Sequence, residues 1–509
     1  MKIERTKNAV RGTITGIIAK VTQLLFPFII RTIFIKTLGI EYLGLNSLFS
    51  SILQVLNLAE LGVSSALVFS MYKPIADDDR DKICELMNLY RFYYRIIGTI
   101  ILSFGILLIP FIPHLIKGDV PPDINIYIIY LMNLIATVLS YWLFAYRSAL
   151  FSAHQRLDIT NIFSFIISIF TNTIQIICLL LYKNYYLYLV INILSQIVLN
   201  LCVAIASKKV YPMYVPVGKI PKNEQKAINA KVRDLFTAKI GVVVNTSADA
   251  LVISSFLGLK IGAIYHNYYY IVTSVMAFFD IFFAACTAGI GNSIVLNERR
   301  TNRNLLYNLN HILFFALNIC CSCLVCLYQP FMKMWVGNKY TLSFDYVILF
   351  AVYLFVEEGP RTMLNFKDAS GIWKEDRFRP LITAITNLIL NLILVNYIGL
   401  YGVLLSTIIS FGIIAFPWLV INIDKYLFEL DIVKYLFSYF SYALITILSS
   451  TISYQLCKTF DVYTKSAVIG LFFRFVSCVI VSITVFELFF WRKEENSYML
   501  RVVRRIIKK

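Results

Sequence analysis

Apolar residues in this chain come in unbroken runs of roughly 20, one after another, not at alternating or one-faced spacing. A run of that length, wound as a helix, rises about 30 Å, the thickness of a bilayer's hydrocarbon core. Inside lipid every backbone N–H and C=O must be bonded within a helix or a closed barrel. These runs are too long and too evenly apolar for barrel strands. The fold class is therefore all-α, a polytopic membrane protein with about 14 transmembrane helices. They are predicted over 13–37, 43–70, 89–112, 124–146, 159–182, 185–206, 233–257, 262–290, 305–330, 345–366, 380–398, 401–424, 432–457 and 466–490.

The polar segments between the runs set the organisation. Residues 207–232 carry six lysines and three prolines, and read as a solvated, cationic linker. They divide an N-lobe of six helices (1–206) from a C-lobe of six (233–427). Helices 13 and 14 follow (428–491), then a basic tail (492–509) expected to form an amphipathic helix on the inner leaflet. A weak internal repeat supports two lobes. Lys20 and Lys239 lie 219 residues apart, as do Leu38-Gly39 and Leu257-Gly258, and Glu60 and Asp280 lie 220 apart. An even number of spans separates the copies, so both lobes enter the membrane from one side. That is a parallel pair related by a pseudo-two-fold axis along the membrane normal, the geometry of alternating-access transporters.

Composition then fixes orientation. The chain is 59% hydrophobic with mean hydropathy +0.73, yet its net charge is +18. Most of the 47 Lys and Arg fall on alternate connections, which places those connections and both termini in the cytoplasm. The charge is thus explained by topology and anionic headgroups, and nucleic acid is not expected as a partner. The first run is too long for a signal-peptide core and lacks a small-residue cleavage site. A multi-pass inner (cytoplasmic) membrane protein is the expected location. Of the ten Cys, four cluster at Cys320, Cys321, Cys323 and Cys326 on one helix without His or Asp beside them, so no metal site is expected.

Polar residues inside the runs are the candidates for function, since burying them in lipid is costly. On helix 1, Lys20, Gln23, Pro27 and Arg31 share one face. They line a wet cavity or snorkel toward the two interfaces. On helix 2, Asn46, Ser50, Asn57, Glu60 and Ser64 form a stripe with Gln54 at its edge; cavity lining and helix–helix hydrogen bonding both account for it. Helix 7 carries Lys239, Asn245 and Asp249, and helix 8 carries His266, Thr273 and Asp280. The acids Glu60, Asp249 and Asp280 are candidate ion-coupling sites, or members of internal ion pairs. The run Tyr265, Tyr268, Tyr269, Tyr270 suits an interfacial aromatic belt, with Tyr269 and Tyr270 as candidate sugar contacts. Glu357 and Arg361 stand i, i+4 on helix 10, as a structural pair or a gate. Arg474 in helix 14 has no evident role unless it faces a groove or a lipid headgroup. There is no phosphate-cradling Gly loop, metal-ligand spacing or nucleophile elbow. No cofactor is expected, and energy must come from an ion gradient (H+ or Na+), the membrane potential or the cargo's own gradient.

Several motifs add a resemblance. The fourteen helices, the two-lobe repeat, Leu38-Gly39…Tyr42-Leu43-Gly44, and a signature of Asp368-Ala369-Ser370-Gly371, Pro380, Asn387-Leu388, Asn391, Gly399, Gly402-Val403 and Thr407 resemble Wzx-type polysaccharide repeat-unit flippases. These belong to the multidrug/oligosaccharidyl-lipid/polysaccharide (MOP) exporter superfamily, and the resemblance covers nearly the whole chain. It implies a MATE-like fold and a flippase, not an enzyme. The cargo implied is an oligosaccharide on undecaprenyl pyrophosphate, moved from inner to outer leaflet for O-antigen, capsule or exopolysaccharide assembly. Lys20, Arg31 and Lys239 would then meet the pyrophosphate. Gln23, Asn46, Gln54, Asn57, Tyr269 and Tyr270 would meet sugar, and Glu60, Asp249, Asp280, Glu357 and Arg361 would couple ions or gate. Membrane lipids, a polysaccharide polymerase and a chain-length regulator are the implied partners.

Three rivals are set against that reading. A MATE-type multidrug or cation antiporter would usually have twelve helices and an acidic cavity. A lipid II flippase would share the basic cavity and fourteen spans. A membrane-bound polymerase or ligase would need a sizeable outer loop, and every expected outer loop is about 15 residues or fewer.

Overall fold

The computed structural model describes residues 5–507 apart from 61, 119, 464 and 465. Lys2, Lys508 and Lys509 lie outside them, as do the side chains of Arg5, Lys7, Arg11 and Arg505. The chain is helical, with no strand among the described residues. It divides into two compact units, Met1–Ala263 and Ile264–Lys509.

The first unit holds α1 (Arg5–Thr37), α2 (Ile40–Leu56), α3 (Val63–Ala76), α4 (Arg80–Leu108), α5 (Ile126–Trp142), α6 (Ser148–Ala153), α7 (Leu157–Tyr182), α8 (Tyr185–Val210) and α9 (Lys222–Phe256). α1 packs on α7, α5 on α4 and α8, and α9 on α2 and α3. α10 (Leu259–Leu296) starts at its edge. The second unit continues with α11 (Arg299–Trp335), α12 (Phe344–Glu358), α13 (Arg361–Ser370), α14 (Arg379–Ile398), α15 (Leu400–Ile409), α16 (Phe416–Tyr426), α17 (Ile432–Tyr463), α18 (Ala467–Phe490) and α19 (Glu494–Ile507). α11, α17 and α18 pack against one another, and α14 against α15.

Among the described residues twelve helices are long and apolar enough to cross a membrane, and a thirteenth is Ile126–Trp142 with Ala145–Ala153, bent by 44°. The chain is a multi-pass membrane protein. The remaining expected span, 345–366, is two pieces. Pro360 has no N–H to continue the ladder, so α12 stops at Glu358 and α13 restarts at Arg361. Gly359 lets α17 close in: a Cβ there would lie 2.8 Å from the Tyr439 hydroxyl.

The repeat is written in the backbone. At the end of α1 the N–H groups of Leu38 and Gly39 both reach the Phe34 carbonyl (3.0 and 3.1 Å). At the end of α9 those of Leu257 and Gly258 both reach Ile253 (2.8 and 3.0 Å). Each glycine has φ in the region that disfavours side chains, +120° and +95°, so each helix ends at a residue where glycine is favoured.

Two expectations change. Residues 207–232 are not a free linker. Tyr211 and Tyr214 are buried, Tyr211 stacking on His154 with ring centroids 4.3 Å apart. Arg80 donates to the Met213 carbonyl (2.9 Å) and Asn88 to that of Gly218 (2.7 Å); from Lys222 onward the segment is already α9. The tyrosine run, in turn, is no simple belt. Tyr265 and Tyr268 are buried on the α10 face that meets Phe350 of α12, Tyr268 stacking on it at 5.8 Å, because helical spacing turns both toward the bundle. The C-terminal helix forms as expected, and α19 docks through Asn496, which faces His311 Nε2 at 3.2 Å and donates to Glu487 (2.7 Å).

Candidate functional site

The polar stripe of the second span coincides with a break in it. α2 ends at Leu56, Asn57–Glu60 make a tighter 3-10 turn, and Gly62, at φ +87°, restarts the chain as α3. Only glycine fits, since a Cβ there would lie 2.7 Å from Leu235 Cβ and 2.9 Å from the Val232 carbonyl of α9. Irregular backbone at membrane depth is tolerated where it is enclosed by protein or lines a polar cavity, and here the side chains of the broken stretch find polar partners on neighbouring helices. Tyr94 donates to Glu60 (3.1 Å), Tyr90 to Ser64 (2.8 Å), and Tyr141 to Asn57 (3.2 Å). From α9, Thr246 accepts from Gln54 (3.2 Å), and Lys239 reaches Ser65 at 3.4 Å. Lys239 is also near enough to Glu60 for its charge to act there. A carboxylate, an ammonium, two amides and three phenols thus converge on one broken helix.

Lys239 is exposed and makes no ion pair among the described residues. Lys20, its counterpart in the repeat, is likewise exposed on α1, as is Gln23, and Lys20 has no described polar partner. Arg31 is half-buried, with its charge felt at Tyr188 of α8. Asn46 accepts from Tyr185 (3.3 Å), so it belongs to the packing of α2 on α8. Asp249 is buried in α9.

In the second unit Glu357 acts on Arg361 through its charge, while the direct contacts of Arg361 are to other acids. Arg361 binds Glu358 with both arms (2.9 and 2.5 Å), and Asp280 of α10 at 2.8 Å. Glu358, three residues before Arg361 across the Gly359–Pro360 break, has a fully buried side chain. Tyr269 meets Tyr353 (3.4 Å) and stacks on Tyr265 (5.6 Å); Tyr270 is half-buried.

The model for the polysaccharide biosynthesis protein family matches residues 9–275, more than half the chain. The chain belongs to the polysaccharide biosynthesis protein family. No curated protein matches this family member. In fold it is similar to the lipid II flippase MurJ in an inward closed conformation (17% identity over 94% of this chain and 98% of that one, TM-score 0.64). It is similar also to an inward-facing multidrug resistance MATE family transporter of the MOP superfamily (13% identity, 79% and 93%, TM-score 0.57). A Vibrio cholerae MATE transporter aligns at 12% identity over 82% and 95%, TM-score 0.56. At these identities the likeness establishes the fold, that of MOP superfamily transporters.

In this polysaccharide biosynthesis protein the signature residues act as glue between helices. Asn387 donates to Thr407 (2.8 Å), Asn391 to Asn387 (2.5 Å), and Ser406 to Asn391 (2.6 Å), all buried. Gly402 permits the approach: a Cβ there would lie 2.5 Å from the Leu394 carbonyl. One cluster escaped the sequence reading. Cys326, Cys457 and Cys478, from α11, α17 and α18, bring their sulfurs within 4.8 Å of one another. Spacing along one helix could not reveal thiols that meet from three, and the four-cysteine run on α11 drew attention to the wrong neighbours. The trio is buried and packs with Tyr454.

Proposed function

We propose that this protein flips oligosaccharide repeat units linked to undecaprenyl pyrophosphate from the inner to the outer leaflet by alternating access, for O-antigen, capsule or exopolysaccharide assembly. The observation that carries this reading is the pair Lys20 and Lys239. They are intramembrane cations at repeat-equivalent positions, exposed and in no direct ion pair among the described residues, with Glu60 the one carboxylate described as acting on Lys239. Such charges are costly unless a wet passage or an anionic cargo meets them, and a pyrophosphate diester carries two negative charges. An inside-negative potential of 100 mV then favours outward movement of that cargo by about 4–5 kcal/mol. Arg31 adds a fork suited to phosphate oxygens. Glu60 and Asp280 are the candidate carriers of H+ or Na+, with Asp249, while Gln23, Gln54 and Asn57 face sugar hydroxyls. The reading places the protein in the inner membrane with both termini cytoplasmic. A polymerase and chain-length regulator would act on the delivered units.

Deleting the gene tests it. Lipid-linked repeat units should accumulate on the inner leaflet, with their synthesis intact and surface polysaccharide lost. Normal surface polysaccharide in the deletion strain overturns the proposal. Lys20→Ala, Arg31→Ala and Lys239→Ala should each reduce export; unchanged export in all three, at normal protein levels, removes the phosphate role.

A second reading, lipid II as cargo, is favoured by the near-complete coverage of the lipid II flippase fold. Rescue of a strain depleted of its lipid II flippase would support it.

A further inference from the structure

Cys326, Cys457 and Cys478 reach one point from three helices, and their spacing is that of ligands around an ion. All three are buried, their sulfurs lie within 4.8 Å of one another, and those of Cys457 and Cys478 are 3.9 Å apart. A disulfide would hold two of them at about 2.05 Å, and all three are free thiols. Two thiolates bound at about 2.3 Å to one tetrahedral ion stand about 3.8 Å apart. Drawing the widest pair in to that distance takes about 1 Å at most.

The surroundings suit thiolates better than thiols. Arg474 lies four residues before Cys478 on α18, so both occupy one face. Its side chain is almost fully buried. Its Nη1 donates to the Cys326 carbonyl at 3.2 Å, its own carbonyl meets the Cys457 thiol at 4.0 Å, and its charge acts at Cys457. One turn to the other side stand Ser453, four residues before Cys457, and Ser482, four after Cys478. Both are fully buried, and their hydroxyls make no hydrogen bond among the described residues. A serine inside a helix ordinarily bonds the carbonyl one turn back. These two hydroxyls do not, so they remain as donors for a charged sulfur on the same helix face. Cys326, Gln329, Tyr454 and Arg474 also line a cavity of about 590 Å³. It gives an ion a way in and a water a place beside it.

We propose that Cys326, Cys457 and Cys478 form a zinc site, with three thiolates and a water in the fourth position. Thiolates select soft or borderline ions, which sets Ca2+ and Mg2+ aside. Charge decides among the rest. Three thiolates and Zn2+ sum to one negative charge, which Arg474 cancels, so the cluster is neutral where the dielectric is low. Cu(I) in the same place would leave one negative charge over. The ion ties α17 and α18 to α11, and Arg474, Ser453 and Ser482 orient and stabilise its ligands from outside. The site lies in the second unit and uses none of the residues assigned to cargo or ion transport, so it stands apart from the flippase reading.

Metal analysis of the full chain, purified in detergent without a chelating resin, tests it. Wild type should carry about one zinc per chain. After a chelator strips it, it should take up Co2+ and show the intense sulfur-to-cobalt charge-transfer absorption of thiolate ligation. Cys457→Ala/Cys478→Ala should lower zinc content roughly tenfold or more and abolish that absorption. Cys326→Ser gives the same reading if the double variant fails to fold. Cys320→Ala, on the same helix as Cys326, should leave both signals unchanged, and Arg474→Gln should weaken zinc binding roughly tenfold. Wild type that carries no zinc and takes up no cobalt overturns the proposal. So does unchanged metal content in the double variant, cobalt bound without the thiolate absorption, or a disulfide among the three in the purified protein.

Discussion

The Tyr94 hydroxyl on α4 donates to the Glu60 carboxylate across 3.1 Å, where the second span gives up its α-helical ladder. With Lys239 acting on Glu60 from α9, this carboxylate is coupled to two neighbouring helices, so a change in its charge acts on both. If Glu60 carries the coupling ion, Glu60→Gln lowers surface-polysaccharide export roughly tenfold or more, the effect of about 1.4 kcal/mol, at unchanged protein level. Tyr94→Phe, which keeps the carboxylate, lowers it less. Export at wild-type rate by the Gln variant would take Glu60 out of the coupling step.

Arg361 holds the second unit's most deeply buried acid. Arg361→Ala strands the fully buried Glu358 side chain without its partner, and should cost about 3–5 kcal/mol. Thermal unfolding in detergent would record this as a large drop in Tm. Replacing both, as Glu358→Leu/Arg361→Met, should restore most of the loss, because Glu358 is then no longer a buried charge without its partner. Asp280→Asn should cost less than about 1 kcal/mol, since that carboxylate is 59% exposed.

Two glycines should answer alike in sequence and opposite in stability. Gly402→Ala pushes a methyl against the Leu394 carbonyl, at 2.5 Å, where backbone must move; a loss of about 1–3 kcal/mol is expected. Gly289→Ala, also within a helix, meets nothing within 4 Å, and should gain about 0.5–1 kcal/mol from helix propensity. Equal unfolding temperatures for the two variants would contradict the close α14–α15 approach.

His154 gives the first unit a pH dependence. Burial pushes its pKa below the usual 6.5, while donation from Nδ1 to the Leu150 carbonyl (2.8 Å) opposes the shift in part. The unfolded chain takes up a proton near pH 6.5 and the folded one only at lower pH. The stabilisation is therefore complete above that value and is lost as pH falls through the folded pKa. Melting of wild type should drop between pH 7 and pH 5, and His154→Gln should flatten that drop. Identical slopes for the two proteins would refute it.

The sequence revealed what depends on apolar length and on local caps. The approximate span positions and the paired Leu-Gly turns were legible, because a bilayer-long helix and a glycine-ended helix each leave a local mark. What it hid depends on contacts made across the chain. The expected continuous helix 43–70 breaks at Asn57–Glu60, just before Gly62, against which α9 lies; a single glycine in an apolar run does not by itself tell of that contact. Pro360 did announce a stop, yet the i, i+4 spacing of Glu357 and Arg361 suggested a helix running through it. The lysine-rich stretch 207–232 looked solvated because charge masked Tyr211 and Tyr214, which are buried. Arg474 gained a meaning only when Cys326 and Cys457 arrived from two other helices.

The interruption at Asn57–Glu60 and Gly62 also bears on how the membrane domain breathes. Backbone amides in an unbroken span are locked by bonds that lipid cannot replace, and they trade protons with solvent very slowly. At this seam a short 3-10 turn replaces the α-helical ladder, and its bonds are fewer and poorer in geometry, so it opens more readily. In deuterated buffer it should take up label well before the flanking turns of α2 and α3, and its labelling rate would report how often this span opens.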